Sequence, residues 1–115
     1  MKEFVFIFRS SKNPHANPSP EQIQERMNWI SGIAAQNKMG DKGNRTSVNQ
    51  ARVVKPDNTV SDSPYTVNKE FVTGYMVVIA ENIDEAVKLA QTNPIIKAGG
   101  SVEIRAVLQP GEQDL

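Results

Sequence analysis

The stretch Phe71–Ala80, FVTGYMVVIA, decides the fold. β-Branched and aromatic residues dominate it, so it reads as a strand. Alternation along the strand sends Tyr75, Val77 and Ile79 to one side and Met76, Val78 and Ala80 to the other. Both sides are apolar. A strand of that kind belongs in the middle of a sheet with both faces covered. Gly74 interrupts the run and predicts a bulge or a close backbone approach.

A second segment has the same character. In Glu3–Arg9 (EFVFIFR), Phe4, Phe6 and Phe8 point one way and Val5 and Ile7 the other. It too should be central. Ser10–Pro20 is rich in Pro, Asn and Ser and reads as a loop. Ser19-Pro20-Glu21-Gln22 then opens a helix: Ser19 as N-cap, Pro20 at the first helical position, Gln22 completing a capping box. Ile23, Met27, Ile30 and Ala34 follow at helical spacing, with Trp29 and Ile33 widening the stripe. This helix is expected to run to about Lys38 and end at Gly40.

Asp41–Thr46 is polar and turn-like. Val48–Lys55 reads as a weaker strand, Pro56-Asp57-Asn58 as a turn, and Thr59–Ser61 as a short return strand. Ser61–Asn68 (SDSPYTVN) reads as a polar loop. Beyond the Phe71–Ala80 strand, Asn82 can cap a second helix whose first turn holds Asp84 and Glu85. Ile83, Ala86, Val87 and Ala90 form its inner stripe, and Asn93-Pro94 stops it. Ile95 and Ile96 make a short turn before Gly99-Gly100, which serves a turn needing positive φ. Ser101–Leu108 (SVEIRAVL) is the last strand, with Val102, Ile104, Ala106 and Leu108 on one face and Glu103 and Arg105 on the other.

The order is β-α-β-β-α-β, an α+β, ferredoxin-like arrangement with an antiparallel sheet and both helices on one face. Its first and third strands are central, and these are the two that are apolar on both sides. The helices cover one face only. The other would leave apolar side chains in water, so the sequence predicts a homodimer with sheets face to face.

Composition narrows the function. The 115 residues fit one domain, read as 1–110 with a loose tail at 111–115. Thirteen basic and thirteen acidic residues give no net charge, which disfavours a nucleic-acid partner. The absence of cysteine excludes disulfides and thiolate chemistry, and one histidine leaves a metal site little to draw on. No cofactor is expected. No segment has the length of a membrane span, so the expectation is a cytoplasmic protein with no membrane partner.

VSDSPYTVNKEFVTGY and NIDEAVKLAQTNPIIKAGGSVEIR give the chain a wider likeness, together with FVFIFR and SPEQIQERMNWI. It resembles the YCII-related proteins, in particular the branch named for an Asp-Gly-Pro-Phe loop. In that loop this chain has Asp62-Ser63-Pro64-Tyr65, and Lys69-Glu70 matches the loop's close. The resemblance implies a dimeric α+β barrel of ferredoxin-like subunits. It also implies a site pairing a first-helix histidine with an aspartate in an Asp-Pro after the second helix, as in enzymatic relatives such as a dehydrochlorinase. Here the first helix has no histidine and Asn93-Pro94 stands at the Asp-Pro position, so both members of the dyad are missing.

Several residues remain as candidates. His15 could transfer protons or be an exposed loop histidine. Asp62 could act as a base or bind the backbone of its own turn. Tyr65 could present its hydroxyl to a ligand or pack its ring. Lys69 could contact a ligand or form a solvated pair with Glu70. Arg9 and Arg105 could bind an anionic ligand between two sheets or form salt bridges with Glu103 or Glu70. The leading expectation is a homodimer that binds a small anionic or aromatic molecule between sheet and loops. The alternatives are a lyase or isomerase using His15 or Asp62, and a non-catalytic protein-interaction domain.

Overall fold

The computed structural model describes residues 1–11 and 18–115. His15 therefore lies outside the described residues. The elements run β1 (Lys2–Ser10), α1 (Pro20–Ala35), β2 (Met39–Arg45), β3 (Val53–Val54), β4 (Val60–Ser61), β5 (Thr66–Val67), β6 (Glu70–Ala80), α2 (Ile83–Gln91), α3 (Pro94–Lys97) and β7 (Ser101–Ala106). The main sheet has the order β2-β6-β1-β7, with β5 added beside the start of β6. Every pairing in it is antiparallel. This is the ferredoxin-like order, and its central strands are the two that are apolar on both sides.

Register assigns the faces. Phe4 pairs Val78 and Ala106, Phe6 pairs Met76 and Ile104, and Phe8 pairs Gly74 and Val102. Phe4, Phe6, Met76, Val78 and Ala80 are buried there beneath Ile33 of α1 and Ala86 and Ala90 of α2. Alanines at both buried positions of α2 let its backbone approach the sheet closely. The Phe6 ring meets Trp29 of α1 at 6.5 Å between centroids, and the Trp29 indole N–H donates to Thr92 Oγ1 at 2.8 Å. Burying each large side chain contributes about 1.5–3 kcal/mol, so the central phenylalanines and Val78 dominate the stability of this face.

Local signals act as expected at the helix starts. Ser19 Oγ accepts from the Gln22 amide at 3.1 Å while Gln22 Oε1 accepts from the Ser19 amide at 2.8 Å. Asn82 Oδ1 accepts from the Glu85 amide at 2.9 Å. Gly99 has the positive φ that its turn requires. β1 and β6 slip register between Phe8/Gly74 and Arg9/Val72, which leaves Thr73 as the extra residue of a bulge beside Gly74.

Four expectations need correction. First, α1 stops at Ala35, with Asn37 in the left-handed region, several residues before Gly40. Second, the strand after α1 is Met39–Arg45, the polar segment read as a turn, and not Val48–Lys55. MGDKGNR has no β-branched residue, so propensity hides it. It is a strand because β6 offers it an edge, and it follows that edge through two register shifts. Gly43 permits the second shift. Its φ is +65°, and a Cβ there would lie 1.7 Å from the Tyr75 carbonyl oxygen.

Third, β3 and β4 do form a hairpin about Pro56-Asp57-Asn58, but in a sheet of their own. Asp57 Oδ1 accepts from the Thr59 amide and hydroxyl to hold that turn. This arm extends from the main sheet between β2 and β5. Thr66–Val67, read as loop, pairs with β6 through a two-residue turn at Asn68-Lys69, both with positive φ. Fourth, α1 is rotated from the expected stripe. Ile33 is buried and Trp29 half-buried, while Ile23 is 45% and Met27 57% exposed.

The bulged register of β2 predicts a contrast between two glycines. Gly43→Ala should cost about 3 kcal/mol or more, because both φ and the Tyr75 carbonyl oppose a side chain. Gly32→Ala, within α1 and with nothing within 4 Å of the added carbon, should stabilise by about 1 kcal/mol. Urea unfolding measures both, and a Gly43→Ala variant as stable as the wild type would contradict this register.

Candidate functional site

The molecule is a plate of 43 × 42 × 21 Å. Its thin dimension is that of one helical layer on one sheet, so among the described residues no helix or strand lies over the second sheet face. Val5 and Ile7 of β1 lie there opposite Val77 and Tyr75 of β6, with Ile79 beside Glu3. Tyr75 is 39% exposed and the four aliphatic residues are half-buried among their neighbours.

Arg9 and Arg105 both belong to this open face, because Arg105 pairs Val5 and Glu103 pairs Ile7. Glu103 joins them. Its Oε1 accepts from Arg9 Nη2 at 3.1 Å and Nε at 3.3 Å, and its Oε2 accepts from Arg105 Nη1 at 3.1 Å. These arginines therefore stand within a salt-bridged triad at the β7 edge. The Arg105 hydrogen bond, followed by that from Arg9, holds the Glu103 carboxyl below the usual glutamate range. Glu70 is engaged elsewhere, accepting from Ser101 Oγ at 3.0 Å.

The other candidates fall on the arm and its base. Tyr65 is 70% exposed and, with Val53, Lys55, Ser61, Pro64 and Thr66, lines an open groove of about 460 Å³. Asp62 stands outside this lining, almost wholly in solvent, with Arg52 Nε 3.7 Å from its carboxylate. Lys69 occupies the β5–β6 turn, exposed. The chain thus gathers Arg9 with Arg105 in one place, and places Asp62, Tyr65 and Lys69 along the arm in another. Asn93, at the Asp-Pro position, is buried and caps α3 through Oδ1, which accepts from the Ile95 amide at 2.9 Å. Among the described residues, no three His, Cys, Asp or Glu side chains form a group that could hold a metal ion. No helix among them is long and apolar enough to cross a membrane.

One pair escaped the sequence reading. Arg26 lies three residues before Trp29 and seven before Ile33, so it continues the stripe of α1 that faces the sheet. Arg45 ends β2 opposite Gly74, which is itself opposite Phe8, so it belongs to the same covered face. Arg26 is exposed, yet desolvation by the surrounding protein lowers its pKa, and the Arg45 charge lowers it further. The signal was in the helical spacing, masked by the assumption that Ile23 and Met27 face inward.

The triad predicts a pH response. A carboxyl held low in the folded state stabilises the fold above its unfolded pKa and loses that contribution as pH falls through the folded value. Glu103 should titrate below an ordinary glutamate by NMR, and Arg105→Gln should move its midpoint upward. A midpoint unchanged by that substitution would contradict the shared contact.

With this geometry in view, comparison with known proteins adds one positive result. Among curated proteins none matches the chain. The sequence profile of the YCII-related domain, however, matches residues 6–110, from within β1 to beyond β7. That span takes in most of the main sheet, both long helices and the arm, and the chain belongs to the YCII-related domain family.

Proposed function

We propose that this protein is a homodimer, joined through the open sheet face, that binds a small aromatic or anionic molecule in the groove at Tyr65. The observation that carries the reading is the apolar row Val5, Ile7, Tyr75, Val77 and Ile79 on an uncovered face of a plate 21 Å thick. A second copy related by a two-fold axis would meet this row with the same row, and like apolar surfaces are self-complementary.

Magnitudes bring the arm into the interface. Four strands about 4.8 Å apart and six to eleven residues long project roughly 500 Å². A standard interface buries about 800 Å² on each partner. The sheet face alone falls short. The arm carries two further exposed apolar residues, Val54 and Val60.

The groove suits a small ligand in size, since binding pockets run from about 300 to 1,000 Å³. Tyr65 offers a ring for stacking, Lys55 a positive charge, and Ser61 and Thr66 hydroxyls. Asp62 lies outside the lining and in solvent, so binding rests on Tyr65 and Lys55.

Two measurements check this reading. Sedimentation equilibrium should give two chains for the wild type and one for Val77→Asp, with far-UV circular dichroism retained. A Val77→Asp variant that stays dimeric would exclude the open face as the contact. The aromatic anion 1-anilinonaphthalene-8-sulfonate should bind saturably, and Tyr65→Ala should weaken it at least about fivefold, a loss of about 1 kcal/mol, without changing the association state. Unchanged binding in that variant would remove the groove from the account.

A further inference from the structure

The two edges of the main sheet are finished differently. One is made by β2 and β5, beside β6. There β2 is broken by two register shifts, and the chain leaves for the arm before β5 resumes the pairing. Bulges and a short, interrupted strand are devices that keep a second chain from adding to an edge. The other edge is β7, Ser101–Ala106. It pairs β1 without a register shift and holds no proline. Among the described residues no strand pairs its outer side.

Register says what that edge presents. The Val107 amide donates to the Glu3 carbonyl at 2.9 Å, so Val107, Arg105, Glu103 and Ser101 turn their backbone groups toward β1. Val102, Ile104 and Ala106 alternate with them and turn N–H and C=O outward. A second β7 laid antiparallel about a two-fold axis at Ile104 sets Val102 opposite the partner's Ala106 and Ile104 opposite the partner's Ile104. Every outward N–H then meets an outward C=O. The same register sets Glu103 opposite the partner's Arg105, twice over. Axes at Glu103 or at Arg105 would instead put like charges opposite each other, which is destabilising. The Arg105 side chain is 68% exposed and spends one nitrogen on Glu103 of its own chain. A guanidinium has further N–H donors for a second carboxylate.

We propose that the β7 edge is a second self-association surface, at which two copies of this chain pair β7 with β7 antiparallel about Ile104. Main-chain hydrogen bonds supply the attachment, and the crossed Glu103–Arg105 pairs set the register. The axis runs perpendicular to the sheet, so both open faces stay on one side and remain free. The contact therefore goes beyond the sheet-face dimer and needs neither that dimer nor the Tyr65 groove. Its footprint is one strand of six residues, far below the roughly 800 Å² per partner of a standard interface, so it belongs with weak contacts and forms at high protein concentration.

Amide hydrogen exchange, read residue by residue by NMR on the wild-type protein, tests this over about a hundredfold range of concentration. The Val102, Ile104 and Ala106 amides should slow by about threefold at the top of the range, as when two-thirds of the chains are paired. Val77→Asp, which disrupts the open face, should keep the slowing. Glu103→Arg and Arg105→Glu, each of which sets like charges opposite one another, should each lose it. An equimolar mixture of these two variants, in which every facing pair is again opposite in sign, should restore it. The proposal is overturned if exchange at the three amides is independent of concentration, which would leave the edge to an extended segment of another protein. It is also overturned if the slowing vanishes in Val77→Asp, persists in the charge variants, or fails to return in their mixture.

Discussion

A sheet has two faces, and the described helices of this chain lie on one of them. The pairing of β1 with β6 imposes that constraint. Each of these strands carries apolar side chains on both sides, and their register stacks Phe4, Phe6, Met76 and Val78 under the helices while turning Val5, Ile7, Tyr75 and Val77 the other way. The first set makes the fold stable. The second cannot join it, because strand geometry alternates. The described helices leave that apolar face uncovered.

The strands most legible in the sequence were those held by their own side chains. β1, β6 and β7 announce themselves through alternation, and α1 and α2 through Ser19, Gln22 and Asn82 at their starts. β2 was not legible, because its cause lies elsewhere. MGDKGNR carries no strand signal, and Gly43 is needed only because the Tyr75 carbonyl of β6 lies where a side chain would go. Propensity reads a segment's own residues, whereas β2 is made by its neighbour's edge. The rotation of α1 failed for a related reason. Its apolar residues are spread widely, so the stripe that packs was set by contact of Trp29 with Phe6 and Thr92 rather than by the strongest periodicity.

The site was legible in kind rather than in place. Glu103 was expected as one partner for Arg9 or Arg105, and it holds both. Asp62, Tyr65 and Lys69 are close in sequence, but the arm spreads them, leaving Tyr65 in the groove and Asp62 in solvent. At the β7 edge Arg9 and Arg105, far apart in sequence, come together through the pairing of β1 with β7 and share the one carboxylate of Glu103.

Native mass spectrometry of protein purified gently from its expression host tests the central claim most directly, since it reads the number of chains without labels or substitutions. The account predicts a particle at twice the 12.7 kDa chain mass. A particle at the single chain mass, at concentrations where the protein is folded, would mean that water tolerates the open face and would contradict the account.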